Sequence, residues 1–206
     1  MKALILVDLQ NDFCPGGALA VTEGDRTIDI ANQLMPHFDL VVATQDWHPA
    51  EHESFAAHHV GGHPGQVIDL HGLPQVLWPI HCVQGSFGAD FVRELNRSGI
   101  DRIFVKGTDP HIDSYSGFFD NGHRKATGLG DFLKEQGVTE VYVMGLATDY
   151  CVKFTALDAL GLGYDTNLIV DGSRGVNLQP DDVEKAIHEM EEKGVKLVHS
   201  NELTEA

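Results

Sequence analysis

The sequence predicts an α/β fold: one domain over residues 1–206, a three-layer α/β/α sandwich around a mainly parallel six-stranded sheet. Two observations carry this. Six short runs rich in β-branched residues alternate with about five segments of helical periodicity. No break in composition and no internal repeat interrupts the alternation, and 206 residues suit one domain whose core needs no staples.

The elements follow in order. Ala3–Val7 is a continuous apolar run, as a parallel strand covered on both faces requires. Asp25–Met35 reads as a helix with Ile28, Ala31, Leu34 and Met35 inward, stopped by Pro36. Asp39–Thr44 is the second strand. Residues 48–81 hold seven of the twelve histidines with little periodicity, and a loop of that length is more often functional than filler. Phe87–Asn96 reads as a helix with Phe91, Val92 and Leu95 inward, and Arg102–Val105 as the third strand. A second loop, 108–123, precedes a helix over Thr127–Gln136 and a strand over Glu140–Met144. From Asp149 a helix presents Val152, Ala156, Leu157 and Leu160 and stops at Gly161. The strand Thr166–Val170, a helix from Pro180 to Lys193 with Asp181 and Asp182 in its first turn, and the strand Val195–Val198 complete the order.

Composition bounds the function. Fourteen basic against 31 acidic residues give a net charge of −17, which argues against a nucleic-acid surface and fits a neutral small molecule better than an anion. No run of 18 apolar residues occurs, so no membrane span is expected. Met1–Asp8 is too short an apolar run for a signal peptide, and three cysteines do not suggest a disulfide framework. A cytoplasmic protein is the expectation.

Four candidate groups follow directly on strands: Asp8, Asp46, Lys106 and the 146–151 turn. In open parallel sheets ligands bind outside the carboxyl ends of the strands, so the coincidence points to an active site. Cys151 falls in the first turn of a helix, where free amides and the helix dipole favour a thiolate and should lower its pKa. Asp8 could take the thiol proton and pass it to a leaving amine, and Lys106 could hold both groups ionised. Taken singly, each has an ordinary alternative: a helix cap for Asp8, a solvated strand end for Lys106, a core residue for Cys151. No Walker A or dinucleotide fingerprint gives Lys106 another task.

Asp46 and His48 are two apart and point to one side of an extended chain, and His81 enters from the far end of the histidine-rich loop. One Asp and two His leave coordination positions open, which suits catalytic Zn²⁺, Fe²⁺ or Mn²⁺. His52 is a fourth candidate ligand, whereas His58, His59, His63 and His71 read as loop residues and Cys14 and Cys82 as structural.

Val7-Asp8-Leu-Gln-Asn-Asp-Phe13, Gln45-Asp46-Trp-His48-Pro, Trp78-Pro-Ile-His81-Cys82, Val105-Lys106-Gly107 and Gly145-Leu-Ala-Thr-Asp-Tyr-Cys151-Val together resemble the nicotinamidase branch of the isochorismatase-like cysteine hydrolases. The resemblance spans nearly the whole chain. It implies a catalytic triad of Asp8, Lys106 and Cys151, a cis peptide bond between Leu146 and Ala147, and an oxyanion hole from the amides of Ala147 and Cys151. It implies one divalent metal ion on Asp46, His48 and His81, zinc first and iron or manganese next. Phe13, Leu19, Trp78, Tyr115 and Tyr150 would line a ring pocket. The implied reaction is hydrolysis of nicotinamide to nicotinate and ammonia in NAD salvage, with pyrazinamide as a second substrate. Residues alone leave other readings open: another amide or vinyl-ether hydrolase of the family, a hydrolase using a metal-bound hydroxide, or a non-catalytic metal- or nicotinamide-binding protein. Neither a monomer nor a homo-oligomer is favoured.

Overall fold

The computed structural model describes residues 1–205. Its elements run β1 (Lys2–Val7), α1 (Arg26–Leu34), β2 (Leu40–Asp46), β3 (Val67–Leu70), β4 (Leu73–Val76), β5 (Arg102–Lys106), α2 (Leu129–Glu135), β6 (Glu140–Leu146), α3 (Lys153–Gly161), β7 (Asp165–Arg174), α4 (Asp182–Lys193), β8 (Lys196–Val198) and α5 (Ser200–Thr204). Six strands form the main sheet in the order β5-β2-β1-β6-β7-β8, and every neighbouring pair is parallel. The expected sheet is therefore present.

The strand alternation explains the layers. Leu4 and Leu6 of β1, Val41 and Ala43 of β2, and Tyr142 and Met144 of β6 face α1, whose Ile28, Ala31 and Leu34 cover them. Ala3, Ile5 and Val7 with Val42, Val141 and Val143 face the other way, under Leu129 and Leu133 of α2, Ala156 and Ala159 of α3, and Met190 of α4. Central strands buried on both faces have to be apolar throughout, and this is why β1 carries no alternation. The chain leaves β1 toward β2 on one side and returns to β6 on the other, so the crevice between their carboxyl ends is the switch point of the topology.

Several expectations fail here. Phe87–Asn96 is not a helix; it is a run of turns ending in a short 3₁₀ turn at Arg97–Gly99. The carbonyls a helix would use are taken by the segment after β1: Asn11 N–H donates to Asp90 O (2.9 Å) and Asp12 N–H to Gly88 O (3.0 Å), while Val92 N–H donates to Leu9 O (3.0 Å). Phe91, Val92 and Leu95 are still buried, so the apolar spacing reports the right face of the wrong element. Within 48–81 lies an unexpected hairpin, β3–β4, closed by His71-Gly72. Pro180 precedes α4 and Asp181 occupies its N-cap position, so the helix starts two residues later than expected. The strand ends also reach further, so that Asp46 and Lys106 are the last residues of β2 and β5 rather than the first of the loops. No helix among the described residues is long and apolar enough to cross a membrane.

Candidate active site

Strand register brings the four predicted groups together. Val7 lies opposite Thr44 on one side and Gly145 on the other, and Asp46 lies opposite Lys106. Asp8, one residue past β1, has a left-handed backbone (φ 51°) and donates its N–H to Thr44 O (3.2 Å). Its Oδ1 accepts from Thr44 Oγ1 (2.7 Å), and its Oδ2 lies 2.8 Å from Lys106 Nζ. The same ammonium donates to Asp46 Oδ1 (2.5 Å), the Ser114 carbonyl (2.9 Å) and Cys151 Sγ (3.3 Å). Asp8, Asp46, Lys106 and Cys151 are all buried, and the two carboxylates and the sulfur offer atoms within 4.8 Å of one another.

Cys151 is placed by a π-turn over Thr148–Val152 that leads into α3. Gly145 makes the approach to this turn: its φ is 129°, and a Cβ there would run into the Val7 carbonyl oxygen. The Leu146–Ala147 peptide bond is cis, as the resemblance implied. The amides flanking Cys151, those of Tyr150 and Val152, both donate to Ala147 O (3.1 Å each).

The electrostatics correct one expectation. Burial raises the Cys151 thiol well above its ordinary range, and the nearby Lys106 only partly opposes this, while Asp8 and Asp46 add to it. Burial thus shifts the thiol upward, opposite to the direction that helix position alone suggests. Burial also raises Asp8, to about 6, against the pull of Lys106. Asp46 goes the other way: burial would raise it, but Lys106 and His48 together hold it well below the usual carboxylate range. The same two carboxylates outweigh the desolvation of Lys106 and keep it charged.

Beside Asp8, Lys106 and Cys151, His48 Nε2 lies 3.5 Å and His81 Nε2 3.7 Å from Asp46 Oδ2. His48 Nδ1 faces Gly107 O (2.8 Å) and His81 Nδ1 faces Pro79 O (2.7 Å), so each Nδ1–H donates to a carbonyl and, in the neutral ring, leaves the Nε2 lone pair free. Gly107 must be glycine for this: its φ is 66°, and a Cβ would strike the His48 ring. The Nε2 of His48 is buried without a hydrogen-bond partner. A buried orphan nitrogen beside a second lone pair and a carboxylate fits a divalent ion. His52 stands apart. Its ring is 4.3 Å from that of His48, but its donor atom groups with His48 and Asp113, not with Asp46 and His81. Burial lowers its pKa to about 4, and its Nε2 is also without a partner.

The predicted pocket residues fall into two groups, Phe13 and Leu19 on the His81 side and Trp78, Tyr115 and Tyr150 in contact with one another. Phe13 packs against His81 (ring centroids 5.6 Å apart), and Leu19 packs on the core cluster that contains Phe13. Trp78 Nε1 donates to Tyr115 OH (3.2 Å), and Tyr150 stands edge-on to Trp78 (4.9 Å) and Tyr115 (5.4 Å). Sequence reading quoted Gln10 within a motif but assigned it no task. Its amide spans Asp46, accepting from Asp46 N–H (2.9 Å) and donating to Asp46 O (2.8 Å). Thr44 and the buried Asp113 were missed as well; Thr44 is marked as the first polar residue after the apolar run Leu40–Ala43.

Comparisons with known proteins agree with this geometry. A nicotinamidase of Escherichia coli is 56% identical over 200 residues, covering 95% of this chain and 93% of its own. The structure of an Acinetobacter baumannii nicotinamidase/pyrazinamidase superposes with a TM-score of 0.95 at 47% identity, covering 98% of this chain and 97% of that one. A Pyrococcus horikoshii pyrazinamidase, solved in complex with zinc, gives a TM-score of 0.78 at 40% identity over 96% of this chain and 98% of its own. The Isochorismatase domain matches residues 2–202, nearly the whole of the fold built above. The chain belongs to the isochorismatase family.

Proposed function

We propose that this protein is a nicotinamidase, hydrolysing nicotinamide to nicotinate and ammonia, and that Cys151, Lys106 and Asp8 carry the reaction. The observation that supports it most is the placement of Cys151 Sγ 3.3 Å from Lys106 Nζ and within 4.8 Å of the Asp8 carboxylate, beside a histidine pair that shares Asp46. Nicotinamidase relatives covering nearly the full chain supply the substrate.

Asp8 with a pKa of about 6 is a better match for a buried thiol than an ordinary carboxylate. It takes the Cys151 proton as Sγ attacks the carboxamide carbon, and Lys106 stabilises the charge that remains. Asp8 then returns the proton to the amide nitrogen, the C–N bond breaks and ammonia leaves a thioester. Water, deprotonated by Asp8, attacks the thioester carbon, the C–S bond breaks, and Cys151 takes the proton back from Asp8. The amides of Ala147 and Cys151 are assigned to the oxyanion. One divalent ion, zinc in first place, on Asp46, His48 and His81 supplies an open Lewis-acid position for the pyridine nitrogen. Phe13, Leu19, Trp78, Tyr115 and Tyr150 hold the ring, and pyrazinamide, with a nitrogen in the same position, is a second substrate. The product belongs to NAD salvage. Three free, buried cysteines suit a reducing compartment, which we take to be the cytoplasm.

Ammonia release from nicotinamide and benzamide, before and after metal removal, tests the reading. Activity on nicotinamide alone, lost with the metal and absent in Cys151→Ala, is the expected result. Equal rates on both amides would remove the ring-nitrogen anchor, and near wild-type activity in Cys151→Ala would remove the thioester.

A further inference from the structure

Among the described residues, one other set of metal-ligating side chains converges outside the crevice. Glu53 lies in the loop after β2, His71 at the tip of the β3–β4 hairpin and His111 in the loop after β5. His71 Nε2 is 2.5 Å from Glu53 Oε2, and His111 Nδ1 is 2.9 Å from Glu53 Oε1. The two imidazoles stand edge to face with centroids 5.3 Å apart, and one donor atom from each of the three residues lies within 4.8 Å of the others.

The Glu53 carboxylate hydrogen-bonds to both imidazoles, and the backbone of each of the three residues is anchored as well. Glu53 N–H donates to Pro110 O (2.8 Å), and Glu53 O accepts from His59 Nε2 (2.6 Å). His71 and Gly72 both have positive φ (51° and 88°), the tight two-residue turn that directs the His71 side chain off the hairpin tip. His111 N–H donates to Asp109 Oδ1 (3.0 Å). Two imidazoles and one carboxylate are the donor set of borderline divalent ions, with the remaining positions left to water. The side chains are half-open to solvent, so an ion can enter and keep that water. A chain of net charge −17 raises the local concentration of cations.

We propose that Glu53, His71 and His111 form a second divalent-metal site that takes zinc. The site shares no ligand with Asp46, His48 and His81. An ion there joins three segments that share no main-sheet strand: the hairpin and the loops on either side of it. The hairpin and the loop after β5 are also tied together by Gln75 of β4, whose amide donates to the hydroxyl of Tyr115, a proposed pocket residue (3.1 Å). Zinc at the surface therefore stiffens the frame around the pocket without touching the reacting atoms.

The test is equilibrium dialysis of chelator-stripped protein against micromolar free zinc, with zinc per chain measured by atomic spectroscopy. His71→Ala/His111→Ala should bind one ion fewer than the wild type. Because both proteins keep the buried set intact, the difference reports the surface site alone; equal stoichiometry overturns the proposal, whatever the buried site holds. Glu53→Gln, which keeps the shape and removes the charge, should show the same loss and decides the matter if the double variant misfolds. Hydrogen exchange at 53–59, 70–73 and 109–112 should slow on adding zinc to the wild type and not to the variants. Exchange indifferent to zinc in the wild type would overturn the tie between the segments.

Discussion

Asp46 divides its carboxylate: Oδ1 accepts from Lys106, and Oδ2 faces the Nε2 atoms of His48 and His81. Asp8 also divides its oxygens, between Thr44 and Lys106, but no histidine faces it, and in the proposed reaction the resulting difference in charge decides which carboxylate moves protons. Lys106 and His48 hold Asp46 ionised, whereas burial leaves Asp8 near 6. Asp8 must be ionised to accept the thiol proton, so kcat/KM should rise with pH through about 6 and fall away below it. Thr44 Oγ1 donates to Asp8 and lowers its pKa. Removing that donor in Thr44→Val disfavours the carboxylate, so the acid limb should move to higher pH by roughly one to two units, the worth of one hydrogen bond to a charged group. A pH–rate profile of the two proteins checks this; an unmoved limb would mean that another group titrates.

Elements set where these side chains start. Lys106 ends β5, and the next residue, Gly107, turns its carbonyl toward His48 Nδ1. Gly107→Ala forces a Cβ onto the His48 ring at a left-handed φ. It should weaken zinc binding about 10–100-fold, as losses of outer-shell support do. Competition with a chromogenic chelator measures it, and unchanged affinity would show that the carbonyl does not orient the ring. Much of this level was readable in the sequence. Asp8 could be found because β1 is apolar until it reaches the site, and Asp46, Lys106 and Cys151 because each stands at or just past the carboxyl end of a strand. The helix at Phe87–Asn96 could not be rejected on spacing, since Phe91 and Leu95 pack inward from turns as they would from a helix. What decides it is the hydrogen bonding of Asn11, Asp12 and Val92 across the chain, a long-range fact that no local window contains. The direction of the Cys151 shift was hidden for a related reason: helix position is local, while burial is a property of the whole fold.

At the scale of the molecule, the net charge of −17 fits a neutral amide and a bound cation. The six-stranded parallel sheet was legible from alternation of strands and helices alone, and its order follows from placing β1 at the centre. Because every strand points the same way, the reacting groups collect on one rim and the opposite rim carries none. There the chain re-enters the sheet through exposed turns, such as Gly137 before β6 and Gly163 before β7, both with open space where a Cβ would sit. That rim is a place to cut and rejoin the polypeptide. A permutant opened at Gly163, its old ends linked by a flexible spacer, should fold and retain wild-type kcat within a few-fold, since only exposed turn backbone is disturbed. Loss of activity in a folded permutant would show that the two rims communicate through the sheet.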